Sequence, residues 1–542
     1  MSPRRKIPTK AELIQLQKLY KTDQKIGERL GSVPAYLVAY WRRKKNVPRY
    51  SLPKFSEIEI RSLWERYGDD DRCGLELGIS KAAFYSWRRR YGIREKPPFL
   101  KLEQLELNFP DLKSRTTALS QYGKQAVAQK ILARAANKEK VEVGELVEVE
   151  PDIVISHANT GDIMAQFRKV GAGYVFNPNK IVVSLADCCL TQPPTSAVVS
   201  HKSIREFVVR QGIKCFHDNL QGNCHQVAIE HGHILPGQLI FGADRHTGIF
   251  GALGAFAAGL TTMELATVWA SGKMWLQVPA TLRIDINGRR PRTIHACDIA
   301  LAIINRLGSF GAEYRAIEYY GSAASQMSIS ERTTLTNLSV ELGAKAAICP
   351  YEAITRRYLT GRSASDYAPV IADKDAEYEA IYQINIDRLA PQIAGPNRFD
   401  KIRAVAELEE LPVHYVILGG CVSGRFEELR IAAEILKAKQ VHSDCRMFVI
   451  PASRSIYIEA LRKGLIRILA EAGAAIIDPG YQTPLLVDRL LLDPGQRYLT
   501  TANCWLSESY LHKDAEIYFC SAATAAASSL NAAITDPTRY VG

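Results

Sequence analysis

The sequence lacks the long apolar runs of a membrane-spanning protein. No segment reaches about eighteen uninterrupted apolar residues, the length that a transmembrane helix needs. The nearest approach, residues 250–270, is interrupted by Thr261, Thr262 and Glu264, and we interpret it as a buried helix. The basic start MSPRRKIPTK contains no apolar stretch of the kind found in a signal peptide. These absences exclude a membrane protein, and we expect a soluble cytoplasmic one.

Paired cysteine motifs are also missing. The chain has 11 cysteines, but no two of them form a Cys-x-x-Cys pair. Cys188 and Cys189 are adjacent, and neighbouring cysteines rarely bond to each other because the geometry is strained. In a large chain without a signal peptide we therefore expect reduced thiols rather than a disulfide framework.

Positive charge is concentrated at one end of the chain. The 542 residues have a net charge of +12 and are too many for one core, so several domains are expected. Residues 1–100 contain 23 Lys and Arg but only 11 Asp and Glu, which accounts for the whole excess. The remainder is neutral. This asymmetry predicts a polyanion-binding module attached to a neutral globular body.

The basic region contains an internal repeat. Residues 11–50 and 55–97 align, with a shift of one residue before the tryptophan. The matched positions are Tyr20, Leu30, Gly31, Trp41, Arg42 and Arg43 with Tyr67, Leu77, Gly78, Trp87, Arg88 and Arg89. Each copy predicts two helices, a turn at the glycine and a third helix with a basic end, for which Ser32 and Ser80 are the expected N-caps. Both tryptophans are expected in a core.

This pattern resembles the tandem helix-turn-helix modules of transposases and sigma factors. The resemblance implies that the third helix of each copy contacts DNA, with its basic end at phosphate groups. The candidate nucleic-acid-binding residues are Arg42, Arg43, Lys44, Lys45, Arg88, Arg89 and Arg90. RNA binding, solvated helix ends and a docking platform for a protein are the alternatives. We place repeat 1 at residues 1–50, repeat 2 at 51–98 and a linker at 99–122.

The C-terminal part alternates apolar runs with amphipathic segments. Strands are predicted at residues 413–418, 447–450 and 474–477, and helices at 426–437 and 456–470. A β-α-β-α-β order implies a parallel sheet. Cys421, Ser453, Arg454 and residues 479–481 each follow a strand, at the edge where open α/β sheets build their sites.

Four ordered motifs carry a family resemblance. They are KILARAANKEKVEVGELVEVEPDIVISHANT, GADRHTGIFGALGAFAAGLTTMEL, QMSISERTTLTNLSVELGAKAAICP and GGCVSGRFEELRIAAEIL. In this order they resemble the aconitase family, most closely the large subunits of 3-isopropylmalate dehydratase and homoaconitase. The implied fold is α/β, with three α/β/α domains whose parallel sheets surround a central cleft. The first two would occupy residues 123–410 and the third 411–542, after a small all-α N-terminal repeat.

The resemblance implies removal and addition of water on a hydroxy acid, assisted by a 4Fe–4S cluster on three cysteines. Cys421 matches one ligand, but the segment that carries the other two is Pro-Gly-Tyr-Gln-Thr-Pro at residues 479–484. We therefore expect no cluster held in the family's manner. Zinc or iron bound by Cys421, Cys188 and Cys224 is an alternative, as is a thiolate nucleophile. Small buried residues are the plainer interpretation of these cysteines.

Other family positions are partly retained. The candidate catalytic residues are Asp187, Cys188, His225, Asp244, His246 and Glu341. The candidate substrate-binding residues are Arg245, Asn337, Ser423, Arg425, Ser453, Arg454 and Asn503. The family's carboxylate-binding arginines are replaced in the segment that begins at Asn503, and Arg245 could restore one positive charge. The retained polar residues could also be relics that bond only to each other.

Two functions remain open from the sequence. One is a hydro-lyase or isomerase that acts on a small organic acid or related metabolite. The other is a metabolite-responsive DNA-binding regulator on an inactive aconitase fold. The family's catalytic serine lies in a separate small subunit, and nothing in this chain matches it, so an active enzyme would need such a partner.

Overall fold

The structure, a computed structural model, describes residues 7–20, 22–47, 55–67, 70, 73–74, 77, 79–93, 124–185, 201–363, 365–479, 495–503 and 515–540. The chain divides into two compact units, Met1–Lys101 and Leu102–Gly542. None of the described helices combines the length and apolarity needed to cross a membrane.

The first unit consists of helices in its described part. They are α1 (Lys10–Tyr20), α2 (Asp23–Arg29), α3 (Ala35–Lys44), α4 (Glu57–Tyr67) and α5 (Lys81–Arg90). Each repeat has its own small core, around Leu13, Ile26 and Val38 in one and around Ile60 and Phe84 in the other. The helical, repeated character of this unit therefore follows the sequence pattern.

The tryptophans and turns agree in part with their predicted roles. Trp41 is buried, whereas Trp87 is half-buried against Phe55 and Tyr91, with ring centroids 6.0 and 5.9 Å away. Gly31 has the expected left-handed backbone, with φ of 83°. The expected N-caps are Ser32 and Ser80. Ser80 caps α5, but Ser32 does not cap α3.

The reason lies in the backbone before α3. Ser32 is itself left-handed, with φ of 60°, so the helix starts later and Pro34 occupies the N-cap position. Proline is pre-set for a helix start because its ring fixes φ. Ser80 accepts a hydrogen bond from the backbone N of Ala83 at 3.3 Å. Gly78, the predicted turn residue of the second repeat, lies outside the described residues.

One arginine of each predicted basic run belongs to the core, not to the surface. Arg42 Nε and Nη2 lie 3.0 and 2.9 Å from the two carboxylate oxygens of Asp23, and its Nη1 donates to the Val47 carbonyl at 3.2 Å. Arg88 repeats this arrangement with Asp70, at 2.8 and 3.0 Å, and with the Ile93 carbonyl at 2.8 Å. Both arginines are buried. Their predicted role as phosphate contacts is therefore wrong, because their donors are used inside the repeat.

The second unit is an α/β body. Its strands are β1 (Leu146–Val149), β2 (Ile153–Ser156), β3 (Ile181–Ser184), β4 (Cys215–His217), β5 (Leu239–Gly242), β6 (Phe256–Gly259), β7 (Met274–Gln277), β8 (Thr281–Asn287), β9 (Ala316–Tyr320), β10 (Ala346–Ile348), β11 (Ala380–Asn385), β12 (Gln392–Ala394), β13 (Ile402–Ala404), β14 (Tyr415–Gly419), β15 (Arg446–Ile450), β16 (Ala475–Ile476), β17 (Arg497–Thr500) and β18 (Glu516–Cys520).

Helices cover these strands. They are α6 (Val127–Ala135), α7 (Thr160–Val170), α8 (His201–Gln211), α9 (Cys224–Glu230), α10 (Thr262–Ser271), α11 (Ala296–Leu307), α12 (Ile329–Leu338), α13 (Ala353–Leu359), α14 (Phe426–Leu436), α15 (Arg454–Arg462), α16 (Leu465–Glu471) and α17 (Ala522–Asn531). Short 3₁₀ segments add to them, the longest described one being Arg245–Leu253.

Within the described residues the strands form three larger sheets and one pair. A parallel five-stranded sheet has the order β4-β3-β2-β5-β6, and a parallel four-stranded sheet has the order β10-β9-β8-β11. A seven-stranded sheet has the order β13-β12-β18-β17-β14-β15-β16, and β1 pairs with β7. The predicted α/β class with parallel sheets is confirmed.

The seven-stranded sheet departs from the expectation at one edge. Its strands β14 to β18 are parallel, as predicted, but β12 runs antiparallel to both β13 and β18. Strands β12 and β13 precede residue 411, the predicted start of the third domain. An antiparallel pair needs only a short connection, so these strands can join the edge of the sheet directly.

Two predicted helices are wrong in detail. Residues 250–270 form the end of the 3₁₀ segment, then β6 and α10, because Gly254 has a left-handed φ of 85° and Thr261 caps a new helix. Residues 456–470 form α15 and α16, which are separated at Gly464, with φ of 73°. Burial was read correctly in the first case, but apolar content does not reveal where the backbone changes direction.

Candidate active site

Asp244 lies between two histidines at the edge of the five-stranded sheet. Strands β2 and β5 are parallel neighbours, so the residues that follow them, His157 and Asp244, meet at one edge. His157 Nε2 is 2.9 Å from Oδ2 of Asp244, and His225 Nε2 is 3.2 Å from Oδ1. One carboxylate therefore holds two imidazole rings, each through a different oxygen.

The start of α9 positions His225. Asn223 is the N-cap of this helix, and its Oδ1 accepts hydrogen bonds from the backbone N of His225 at 3.0 Å and of Gln226 at 3.4 Å. The His225 ring is buried and packs against Phe250, with ring centroids 5.6 Å apart. Its orientation is thus fixed by the helix cap as well as by Asp244.

The charge of Asp244 is held by its neighbours. Burial would raise the pKa of this carboxyl group, but the opposite charges and hydrogen bonds of His225 and His157 hold its pKa well below the ordinary value. Thr247 Oγ1 also donates to Asp244, at 2.8 Å to the carbonyl and 3.2 Å to Oδ1. Asp244 is therefore an ionised carboxylate at neutral pH.

His246 begins a hydrogen-bonded chain that reaches three sheets. Its Nδ1 is 3.0 Å from Oδ1 of Asn337 on α12, and Asn337 Nδ2 donates to Oδ1 of Asn503 at 2.9 Å. Because the Asn337 amide nitrogen donates to Asn503, its oxygen is the acceptor and His246 Nδ1 carries the hydrogen. Burial lowers the pKa of His246 to about 4. At neutral pH its Nε2 therefore has a lone pair that can accept a proton.

Arg245 connects Glu341 to the same network. Its Nη2 lies 3.2 Å from Oε1 of Glu341 and donates to the Asn503 carbonyl at 3.2 Å. Burial raises the pKa of Glu341, against the effect of the Arg245 charge and of a hydrogen bond from Asn503. The Arg245 side chain is 45% exposed, so part of its charge can face a ligand.

A cavity borders Asp244 and Arg245, but its lining does not include His157, His225 or His246. Its volume is about 330 Å³, and its lining includes Asp244, Arg245, Glu264, Tyr314 and Lys345. Small-molecule sites are typically about 300–1,000 Å³, so this volume suits a small organic acid. Burial lowers the pKa of Lys345, and its ammonium group lies 5.7 Å from the centre of the Tyr314 ring.

The contacts thus gather many of the residues that the sequence identifies. The network contains His225, Asp244, Arg245, His246, Asn337, Glu341 and Asn503. Asp187 and Cys188, which are also predicted to be catalytic, lie outside the described residues.

The predicted substrate contacts at the edge of the seven-stranded sheet serve packing instead. Ser423 Oγ is 2.7 Å from Thr501 Oγ1 and donates to Glu428 at 3.0 Å. Ser453 caps α15 and donates to Glu230 at 2.7 Å. Both serines are buried, with their hydroxyl groups bonded inside the protein. We therefore reassign them from substrate binding to support of the loops after β14 and β15.

The two arginines predicted beside those serines differ from each other, and only Arg425 follows the same correction. Arg425 is buried, and its Nη1 donates to Thr334 Oγ1 at 3.1 Å. Arg454 is exposed, and its backbone N donates to the Gln221 carbonyl at 2.8 Å. Substrate binding by Arg454 therefore stays a prediction.

The described donors do not fit a 4Fe–4S cluster. Cys421 is disulfide-bonded, which corrects the expectation of reduced thiols at this position. Cys224 is a buried free thiol whose Sγ lies 3.3 Å from His225 Nδ1. In the part of the chain that the structure describes, no group of three or more His, Cys, Asp or Glu side chains is placed to hold a metal. A zinc or iron site and the loss of the cluster stay predictions.

His157 is a site residue that the sequence analysis missed. It directly follows β2 in the segment ISHANT, and Asn159 two residues later donates to the Ala243 carbonyl at 2.8 Å. A histidine immediately after a largely apolar strand was the available signal, because such positions lie at the carboxyl edge of a parallel sheet. Only the pairing of β2 with β5 shows that it reaches Asp244.

Comparisons with known proteins agree with this architecture. A family model described as "Aconitase family (aconitate hydratase)" matches residues 129–410 and 399–532. The 3-isopropylmalate dehydratase large subunit 1 of Methanopyrus kandleri is 40% identical over 418 residues, which cover 77% of this chain and 100% of that protein. A probable methanogen homoaconitase large subunit of Methanosarcina mazei is 37% identical, over 71% of this chain and 98% of that one.

Among solved structures, the holo form of Thermococcus kodakaraensis aconitase X matches with a TM-score of 0.37 and 12% sequence identity. The match covers 67% of this chain and 89% of that one. The family match begins at residue 129, so the basic helical unit lies outside it.

Proposed function

Because the chain belongs to the aconitase family, we propose that its second unit is the large subunit of a hydro-lyase that acts on a small hydroxy acid. The observation that carries the proposal is the ionised carboxylate of Asp244 between His157 and His225. Several charged and polar groups are kept together in a buried site there, which is costly unless they bond to each other or to a ligand.

Loss of water needs a proton donor for the departing hydroxyl group. The Asp244 carboxylate lies within hydrogen-bond distance of the Nε2 atoms of His157 and His225 and orients both rings. The N–H groups of these two rings are the proton donors that we assign. In the reverse direction the same rings recover the proton from water.

The reaction also needs an acceptor for the hydrogen on the neighbouring carbon. Within this chain we assign His246 Nε2, since Asn337 holds the hydrogen on Nδ1 and burial keeps the ring neutral. Arg245 is the anchor for a substrate carboxylate, with Glu341 and Asn503 holding its guanidinium group. The relatives are large subunits, and we propose that a small subunit completes this site.

Hydrogen exchange into candidate acids tests the proposal. The full chain, alone and with a co-expressed small subunit, is incubated in deuterated water with a panel of hydroxy acids that includes 3-isopropylmalate. Nuclear magnetic resonance then follows deuterium at the carbon beside the hydroxyl-bearing carbon. Exchange is expected for at least one acid. A folded protein that exchanges none of them, with or without the small subunit, would contradict the hydro-lyase.

Arg245→Ser separates binding from chemistry. We expect a higher KM with a smaller change in kcat, because the anchor holds the carboxylate equally before and during the reaction. Arg398→Ser is the control, since Arg398 is an exposed arginine that pairs with Asp400. Equal KM values for the two variants would remove Arg245 from the site.

The alternative is a metabolite-responsive regulator on an inactive fold. It requires a ligand to bind without exchange or turnover. The joint retention of Asp244, two histidines that it holds and a neutral His246 favours the hydro-lyase, since ligand binding alone does not need a donor and an acceptor of protons.

A further inference from the structure

The third helix of each N-terminal repeat presents one exposed face that is aromatic and basic. On α3 this face contains Tyr36, Tyr40, Arg43 and Lys44, at spacings that place them on one side of a helix. The two tyrosines are 72% and 52% exposed. Tyrosine combines an apolar ring with a polar hydroxyl group, which suits contact with a partner.

The second repeat has a related face on α5, with the basic residues at matching positions and its tyrosine one position earlier than the match to Tyr40. Its exposed residues include Tyr85, Ser86, Arg89 and Arg90, and Tyr85 is 44% exposed. Arg89 lies over the Tyr85 ring at 5.8 Å, as Lys44 lies over Tyr40 at 5.9 Å. The two helices contain no Asp or Glu. Each repeat therefore exposes the same combination of positive charge and aromatic surface.

Buried pairs hold these faces in place. The pair of Arg42 with Asp23 joins α3 to the start of α2, and the pair of Arg88 with Asp70 has the same geometry in the second repeat. In each repeat one buried arginine is followed directly by two exposed basic residues. The repeats thus reserve one arginine for folding and leave the following two basic residues at the surface.

We propose that these two faces bind duplex DNA, the α3 face through Tyr36, Tyr40, Arg43 and Lys44 and the α5 face through Tyr85, Ser86, Arg89 and Arg90. The whole positive excess of the chain lies in residues 1–100, and the rest of the chain is neutral. This complements the closely spaced phosphates of DNA. The proposal is independent of the hydro-lyase.

Helix geometry favours DNA over duplex RNA. The major groove of B-form DNA is about 12 Å wide and admits a helix, whereas the major groove of A-form RNA is too deep and narrow for side chains to read. Arg43, Lys44, Arg89 and Arg90 would bond to phosphate groups. The tyrosines in the middle of each face would contact sugars and base edges.

Fluorescence polarisation with the full chain tests this proposal. The probe is a labelled pool of random-sequence 30-base-pair duplexes, titrated at several KCl concentrations. The face variant is Arg43→Ala, Lys44→Ala, Arg89→Ala and Arg90→Ala. Its control removes the same charge from exposed positions of the second unit, by Lys202→Ala, Arg210→Ala, Arg462→Ala and Lys463→Ala.

We expect the face variant to bind roughly a hundredfold more weakly at low salt, and the salt slope to fall by about 3.6, or roughly 0.9 for each lost phosphate contact. The control should bind like the native chain. A triple variant, Tyr36→Ala, Tyr40→Ala and Tyr85→Ala, should weaken binding without changing the slope, because it removes no charge.

Three results would overturn the proposal. One is that the native chain does not bind the duplex pool at low salt. Another is an equal loss in the face variant and its control, which would indicate general charge attraction. The third is tighter binding to single-stranded or duplex RNA of the same length, which would assign the faces to RNA.

Discussion

At the scale of single residues, the charge of Asp244 decides what its neighbours can do. Its two carboxylate oxygens lie 2.9 Å from His157 Nε2 and 3.2 Å from His225 Nε2, so it orients both rings. The low pKa of Asp244 also affects stability. Its stabilising contribution is fully present above the ordinary carboxyl pKa of about 4, and it is lost as the pH falls through the lower, folded-state value.

Asp244→Asn should lower kcat by roughly a hundredfold to ten-thousandfold with a smaller change in KM, because an amide has no negative charge and only one oxygen that can accept a hydrogen bond from a ring. Steady-state kinetics, or the deuterium exchange rate, measures this loss. Asp400→Asn is the matched control at an exposed position. If Asp244→Asn lowers only the melting temperature and leaves kcat unchanged, the carboxylate is structural.

Arg42 and Arg43 are neighbours in the sequence, but we expect only the first to stabilise the fold. Arg42→Ala leaves the Asp23 carboxylate without its bidentate partner and should cost the first repeat about 3–5 kcal/mol. Arg43→Ala, one position later, should change the unfolding free energy by less than about 0.5 kcal/mol because its side chain is exposed.

Hydrogen-exchange mass spectrometry on peptides from residues 7–47 distinguishes the two substitutions. Faster exchange is expected throughout α1 to α3 in Arg42→Ala only. Similar protection in both variants would show that the buried pair does not stabilise the repeat.

At the scale of elements, the sequence patterns located strands better than changes of direction. The apolar runs that predict β14, β15 and β16 are all strands, and β14, which lies inside the sheet, is buried throughout, as a parallel strand covered on both faces should be. Residues 250–270 are equally apolar but change direction at Gly254 and Gly259. Such turns depend on the tertiary approach of other segments, which apolar content does not encode.

The same limit applies to the site. The sequence identified Asp244 and His246 from a motif, but not His157, whose role depends on the pairing of β2 with β5. It also assigned Arg42 and Arg43 the same role, since helical burial could not be read from a run of basic letters. The basic character of this segment was predictable from the sequence, but which of its side chains point into the core was not.

Glycine substitutions in the 3₁₀ segment test how closely it packs. A Cβ atom at Gly251 would lie 1.6 Å from the Ala347 carbonyl oxygen. A Cβ atom at Gly248 would lie 3.8 Å from its nearest neighbour, the Thr336 carbonyl oxygen. Gly251→Ala should therefore lower the free energy of unfolding by at least about 1–3 kcal/mol, and Gly248→Ala by much less. Urea unfolding curves measure both. Equal midpoints would show that β10 can move away from this segment.

At the scale of the whole molecule, buried histidines make the second unit sensitive to acid. Burial lowers the pKa of His217 and of His233 to about 4, and their Nε2 atoms are only 2.7 Å apart. Between about pH 6.5 and pH 4 the unfolded chain binds more protons at these residues than the folded chain. Their contribution to stability therefore falls as the pH decreases through this range.

Asp298 acts in the opposite direction. Burial raises its pKa to about 7, so the folded chain binds a proton there that the unfolded chain releases above about pH 4. The histidine contribution is isolated by the double variant His217→Gln and His233→Gln. Its unfolding free energy should fall less steeply between pH 6.5 and pH 4, by roughly 1.4 kcal/mol per pH unit for each histidine removed. His442→Gln, at an exposed position, should keep the native slope.

The chain of bonds from His246 through Asn337 to Asn503 has a mechanical consequence. His246 follows the five-stranded sheet, Asn337 belongs to the four-stranded sheet's layer, and Asn503 follows the seven-stranded sheet. A hydrogen bond at 2.9 or 3.0 Å is lost when its atoms separate by roughly 1 Å. A shift of one layer against another by more than about this distance breaks the chain unless the side chains rotate to follow it. The proton-accepting nitrogen of His246 keeps its orientation only while all three layers stay aligned, so the site is competent in one arrangement of the body.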